Sequence, residues 1–188
     1  MNGVILETER LVLRKMTQAD SPALCRILQD EKTMYAYEGA FSDEEVQQWL
    51  DRQLARYAQY GFGLWLVVLK ETGKAIGQCG VTMQPWDGRE VLEVGYLFER
   101  AHWHHGYATE AARGCMRYAF ETLHADEICS IIRDTNTASQ NVALRNGLLP
   151  RETWTKHYRG VDMPHIRYVI TREEWQKNAE AKDNEGKE

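Results

Sequence analysis

No long apolar run exists in this chain. The longest, Leu64–Leu69, is six residues, against about 20 for a membrane-spanning helix. The first residues, Met1 to Glu7, show no basic segment leading into an apolar stretch, so no secretory signal is read there. A cytoplasmic protein without a membrane partner is expected. Paired cysteines are also missing. Cys25, Cys79, Cys115 and Cys129 are widely spaced, with no Cys-x-x-Cys. In apolar surroundings they read as buried free thiols rather than ligands, disulfides or nucleophiles. No basic stripe offsets the net charge of −5, which argues against nucleic acid as a main partner. An acidic balance is compatible with cationic substrates, but it is ordinary. Internal repeats and linkers are absent too.

What remains suits one globular domain with its own core: 188 residues, 43% of them apolar. The domain is placed at residues 1–175. Residues 176–188 are almost wholly polar and are expected to be disordered or a frayed helix end. Strands are predicted over Leu11–Met16, Phe62–Leu69, Lys74–Met83, Val91–Phe98, Ile128–Ile132, Glu152–Tyr158 and Ile166–Thr171. The turn signals are Glu71-Thr72-Gly73, Pro85-Trp86-Asp87-Gly88 and Gly160. Thr17-x-x-Asp20, Ser42-x-x-Glu45 and Thr171-x-x-Glu174 announce helices. Further helices are predicted from about Thr109 to Leu123 and from Ala138 to Asn146, the latter stopped by Gly147. The order predicts an α/β (α+β) fold with a mixed, mostly antiparallel sheet of about seven strands and helices on both faces.

The informative stretch runs from Glu93 to Gly147. A strand ends near Phe98, a short loop follows, and His104-His105-Gly106-Tyr107-Ala108-Thr109 opens a long helix. A helix front carries unpaired N–H groups and partial positive charge, which suits a diphosphate. Gly106 and Ala108 are small where a ligand must approach the backbone, and Thr109 adds a hydroxyl. Taken alone, such a segment is more often just a turn.

These residues resemble a known family. Gly95-Tyr96 and Trp103-His104-His105-Gly106-Tyr107-Ala108-Thr109-Glu110-Ala111 are similar to the acetyl-CoA signature of GCN5-related N-acetyltransferases (GNAT). Asn136-Thr137-Ala138-Ser139-Gln140-Asn141-Val142-Ala143 with Asn146-Gly147 forms a second match. Glu7-Thr8-Glu9-Arg10-Leu11-Val12-Leu13-Arg14 and His157-Tyr158-Arg159-Gly160 resemble the branch of ribosomal-protein N-terminal (RimJ/RimL-like) acetyltransferases. The resemblance implies an acyl-CoA N-acyltransferase fold with splayed central strands and acetyl-CoA as cofactor. Main chain at Leu97 and Phe98 would bond the pantetheine arm, and amides of His104 to Thr109 the diphosphate. Asn136 would contact the pantetheine and Arg145 the phosphates. Trp103 stands where the family usually has Arg or Gln.

The reaction expected is direct attack by a primary amine on the thioester, through a tetrahedral intermediate. A backbone N–H near Tyr96 or Leu97 would receive the oxyanion. Glu93, which interrupts an apolar strand, is the candidate base, with a solvent-facing or ion-paired carboxylate as the equal alternative. Many relatives carry an acidic tyrosine where this chain has Ala143, so Ser139 is the substitute candidate. Its other reading is a first-turn residue bonding backbone. Trp86, His157, Tyr158 and His165 are candidates for the acceptor side, although packing and turn roles are the usual fate of such residues. His102, His104 and His105 lack metal-ligand spacing, so no metal is expected. Three functions follow: acetylation of a protein or peptide N-terminus, acetylation of a small amine, or a silent acyl-CoA sensor. Monomer and homodimer are both left open.

Overall fold

The computed structural model describes residues 3–185, with side chains described up to residue 181. Eight strands form the sheet, in the order β1-β2-β3-β4-β5-β6-β8-β7. They are β1 Val4–Glu7, β2 Leu11–Arg14, β3 Leu64–Leu69, β4 Ala75–Trp86, β5 Arg89–Phe98, β6 Glu127–Arg133, β7 Leu149–Tyr158 and β8 Val161–Thr171. The helices are α1 Ser21–Leu28, α2 Asp43–Tyr60, α3 Tyr107–Glu121, α4 Thr137–Arg145 and α5 Arg172–Glu185. The β5–β6 pair is parallel, while β1–β2, β2–β3, β3–β4, β6–β8 and β7–β8 are antiparallel. The sheet is therefore mixed and mostly antiparallel as expected. It has one strand more than the sequence suggests: β1 is four residues long and gains its partners only by pairing with β2.

The chain divides into two compact units. One comprises Met1–Thr82 and Val94–Cys115, the other Met83–Glu93 and Met116–Glu188. In the first unit, Val12, Leu64, Leu66 and Val68 of the sheet meet Leu24, Ile27 and Leu28 of α1 and Val46 and Leu50 of α2. Ser42 caps α2 through a full capping box: its Oγ accepts from the Glu45 amide at 3.2 Å, and its own amide donates to Glu45 at 2.8 Å. Neighbouring β4 residues show that helices cover both faces here. Gln78 accepts from the Trp49 indole of α2 at 2.9 Å, whereas Cys79 touches Cys115 of α3. Side chains at successive strand positions point to opposite faces. Cys79, Cys115 and Cys129 are buried free thiols, as expected; Cys25 is only half-buried.

The second unit has a smaller apolar centre of Trp86, Val91, Cys129 and Val169, flanked by Ile131 and Trp154. β4 runs through Pro85 and Trp86, so the break is only Asp87-Gly88, both at positive φ. Gly147, at φ +85°, ends α4 as read from the sequence. The Arg159-Gly160 turn joins β7 to β8, with both residues left-handed. α5 begins on the Thr171–Glu174 capping box and continues to Glu185, further into the polar tail than expected. Trp175 stacks on Phe120 with ring centroids 5.4 Å apart, and Arg172 donates to the Phe120 and Ala125 carbonyls. These contacts anchor the front of the helix, just ahead of the polar tail.

Candidate active site

The loop ahead of α3 is built by a tight succession of turns. Trp103 turns back and its indole N–H donates to the Phe98 carbonyl at 2.9 Å. His105 Nδ1 lies 2.6 Å from the Trp103 carbonyl. His104 at φ +62° and Gly106 at φ +78° are left-handed. A non-glycine residue there is uncommon and marks a backbone held for a purpose. The Glu110 amide donates to the Gly106 carbonyl at 3.0 Å, closing the first turn of α3. The amides of Tyr107, Ala108 and Thr109 lie ahead of that bond. Residues 104–106 are exposed. Backbone turns that mix right- and left-handed residues can gather successive N–H groups on one side.

A second set of residues holds this loop, and the sequence reading gave them no role. The Glu110 carboxylate accepts from the Thr8 hydroxyl at 2.6 Å, the Arg10 amide at 2.8 Å and Arg10 Nε at 2.6 Å. Arg10 Nη1 donates to the His105 carbonyl at 3.0 Å. Its guanidinium lies 4.6 Å from the Tyr107 ring centroid, and Tyr107 stacks on His105. Burial would push the Glu110 carboxyl up, but the donors from Thr8 and Arg10 outweigh it and hold it below its ordinary value. The available signal was an acid in the first helical turn, favourable beside the helix dipole. Its partner, 100 residues away, was not legible.

Nearby, Glu99 gathers Arg26 at 3.6 Å, Lys74 at 3.2 Å and His102 at 3.7 Å. Burial, then the charge of Lys74, lowers the His102 pKa. His102 thus belongs to an ion cluster and not with His104 and His105.

In the second unit, Glu93 of β5 pairs in register with Cys129 of β6. Its carboxylate accepts from the Ile131 amide at 3.1 Å. A side chain, instead of the neighbouring main chain, takes that donor. Glu93 is half-buried. Burial, followed by the nearby Glu93 charge, pushes the Cys129 thiol to about 12, so it is no nucleophile.

Asn136 caps α4, its side chain accepting from the Ser139 amide at 3.1 Å. Ser139 is therefore a first-turn residue, half-buried, and Arg145 is exposed in the last turn. Ala143 is 3% exposed, so the place of the relatives' tyrosine is filled by packing.

Trp86, a candidate for the acceptor side, is packed inside the second unit instead. It is 2% exposed and donates to Glu152 at 2.6 Å, edge-on to Trp154. Glu152 also accepts from Arg89 and Arg167, so it ties β4, β5 and β8 to β7. His157 pairs with Asp162 at 2.9 Å across the hairpin, and both are exposed. Tyr158 is exposed at the turn beneath the Arg159 guanidinium. His165 holds the Met163 carbonyl, with its pKa lowered by burial.

A mixed, mostly antiparallel eight-stranded sheet of this order with five helices is the fold of the GNAT acetyltransferases. The chain belongs to the acetyltransferase (GNAT) domain family, whose pattern matches residues 10–149. It is an acetyl-CoA-dependent N-acetyltransferase. It is 35% identical over 155 residues to the uncharacterized protein YkkB of Bacillus subtilis (strain 168), covering 80% of this chain and 90% of that one. It is 35% identical over 150 residues to the uncharacterized N-acetyltransferase p20 of Bacillus licheniformis, covering 76% and 80%. Among solved structures, RimL, the ribosomal L7/L12 alpha-N-protein acetyltransferase in complex with coenzyme A, superposes with a TM-score of 0.71 at 18% identity, covering 89% and 97%. That likeness is one of fold. Among the described residues no helix is long and apolar enough to cross a membrane.

Proposed function

We propose that this enzyme acetylates the α-amine at the N-terminus of a protein or peptide, with the diphosphate of acetyl-CoA received by the amides of residues 104–109. The observation that carries the reading is the exposed turn with left-handed His104 and Gly106 opening directly into α3. The chemistry of the loop fits the group. Gly106 and Ala108 present no bulk, and the nearest carboxylate, Glu110, is neutralised by Arg10.

Bound acetyl-CoA supplies an activated thioester carbonyl and a thiol leaving group. The chain's own residues then have two tasks. A main-chain N–H of Tyr96 or Leu97 donates to the oxygen that gains charge. Glu93 accepts the amine's proton, directly or through a water, while the Ile131 amide fixes its orientation. A free α-amine has a pKa of about 7.7–8.0 and needs only a modest base, whereas a lysine amine near 10.4 needs a stronger one. A half-buried carboxylate with no dedicated tyrosine acid suits the former. By the family resemblance, Leu97 and Phe98 would bond the pantetheine arm through their main chain, Asn136 at the front of α4 would contact it, and Arg145 would offer charge to the phosphates. His157, Tyr158 and His165 contribute to acceptor binding from the hairpin. RimL's protein substrate supports the choice of acceptor.

Acetyl-CoA at 100 times its dissociation constant should raise stability by about 2.7 kcal/mol. Thiol release is then screened with N-terminal peptides and with small amines. No melting shift sinks the cofactor assignment; turnover confined to small amines sinks the acceptor assignment. Replacing Gly106 with valine should weaken coenzyme A binding, since a β-branched residue is strained at φ +78°.

A further inference from the structure

We infer that Arg10 is a positioning residue for the cofactor: with Glu110 and Thr8 it clamps the His105 carbonyl and preforms the amide concavity before any ligand arrives. The inference rests on the proposed diphosphate site and deepens it.

Arg10 lies in the turn between β1 and β2, about as far from α3 in sequence as the chain allows. Its backbone and side chain both reach the loop. The amide and Nε occupy the two Glu110 oxygens, which fixes the first turn of α3. Nη1 reaches the His105 carbonyl, in the peptide that joins His105 to left-handed Gly106. The guanidinium plane is set by Tyr107, which His105 in turn stacks upon. Nη2 is directed at Gly106, 3.5 Å from where a Cβ would stand. Turning the His105 carbonyl toward Arg10 points the Gly106 N–H of the same planar trans peptide the opposite way. Arginine thereby sets the direction of donors it does not itself supply. Lysine's three donors radiate from a single nitrogen and lack the planar, spread fork with which arginine spans carboxylate and carbonyl.

The clamp is open to solvent on the arginine side, with 42% of the Arg10 side chain exposed. Its loss is therefore expected to reshape the loop without unfolding the domain. Without the clamp, the loop must be ordered during binding, and that cost appears as lost affinity.

The test titrates coenzyme A, and separately pantetheine, which lacks the diphosphate and nucleotide, into wild-type protein, R10K, R10Q and E110Q. Amide hydrogen exchange is followed in the ligand-free proteins. All three variants should bind coenzyme A about tenfold more weakly, with R10K close to R10Q. Exchange over residues 103–109 should quicken while β3 is unchanged, and pantetheine affinity should not move. Full rescue by lysine would reduce Arg10 to a bare charge and overturn the clamp. So would unchanged affinity, or equal losses for both ligands with faster exchange in β3. Wild-type protein that binds no coenzyme A would instead remove the underlying functional reading.

Discussion

At the residue scale, the loop and the strand carboxylate divide the work into holding and proton transfer, and substitutions separate the two. Glu93→Gln keeps an oxygen for the Ile131 amide but removes the basicity. The expected result is unchanged melting and unchanged coenzyme A affinity, with kcat falling by about 10²- to 10⁴-fold. Steady-state thiol release measures it; an unaltered rate would leave Glu93 a structural carboxylate. Glu110 makes a pH prediction. Its carboxyl sits below its ordinary value of 4.5, because Thr8 and Arg10 outweigh burial. A carboxyl depressed on folding lends stability that is present above the unfolded value and disappears as pH falls through the folded one. The melting-temperature gap between wild type and Glu110→Gln should be open at neutral pH and close on acidification below about pH 4. A gap that widens in acid would contradict the assignment.

Elements were read well where local chemistry forms them. Capping boxes at Ser42 and Thr171 are complete in the structure. Such boxes involve residues three apart and need no tertiary context. Ser42→Ala should cost about 1 kcal/mol in urea unfolding; a neutral change would mean that α2 is held by packing alone. Gly147 and Gly160 occupy left-handed positions as read. β1 was missed because it is short and polar-flanked, and its existence depends on pairing with β2. The break drawn at Pro85 was wrong because Trp86 finds a partner in Glu152, on a strand 66 residues away, and this keeps β4 extended.

For the whole molecule, Glu152 illustrates how distant segments are joined. Removing its carboxylate by Glu152→Ala leaves the buried Trp86 N–H without its acceptor, and Arg167 with one partner fewer. A loss of about 1–3 kcal/mol is expected from the unpaired groups. Chemical denaturation checks it, and a stability matching wild type would show that water replaces the carboxylate freely.

By itself the sequence determined the helix fronts, the glycine turns and the family motifs that name the chemistry. All of these rest on residues within a few positions of each other, where backbone geometry and side-chain periodicity act directly. Tertiary structure alone decided that Arg10 and Thr8 grip Glu110, that Ile131 orients Glu93, and that Trp86 is buried instead of bordering a groove. Those outcomes depend on which polar groups meet after the sheet has formed, and a buried donor or acceptor accepts whatever partner the packing brings within reach.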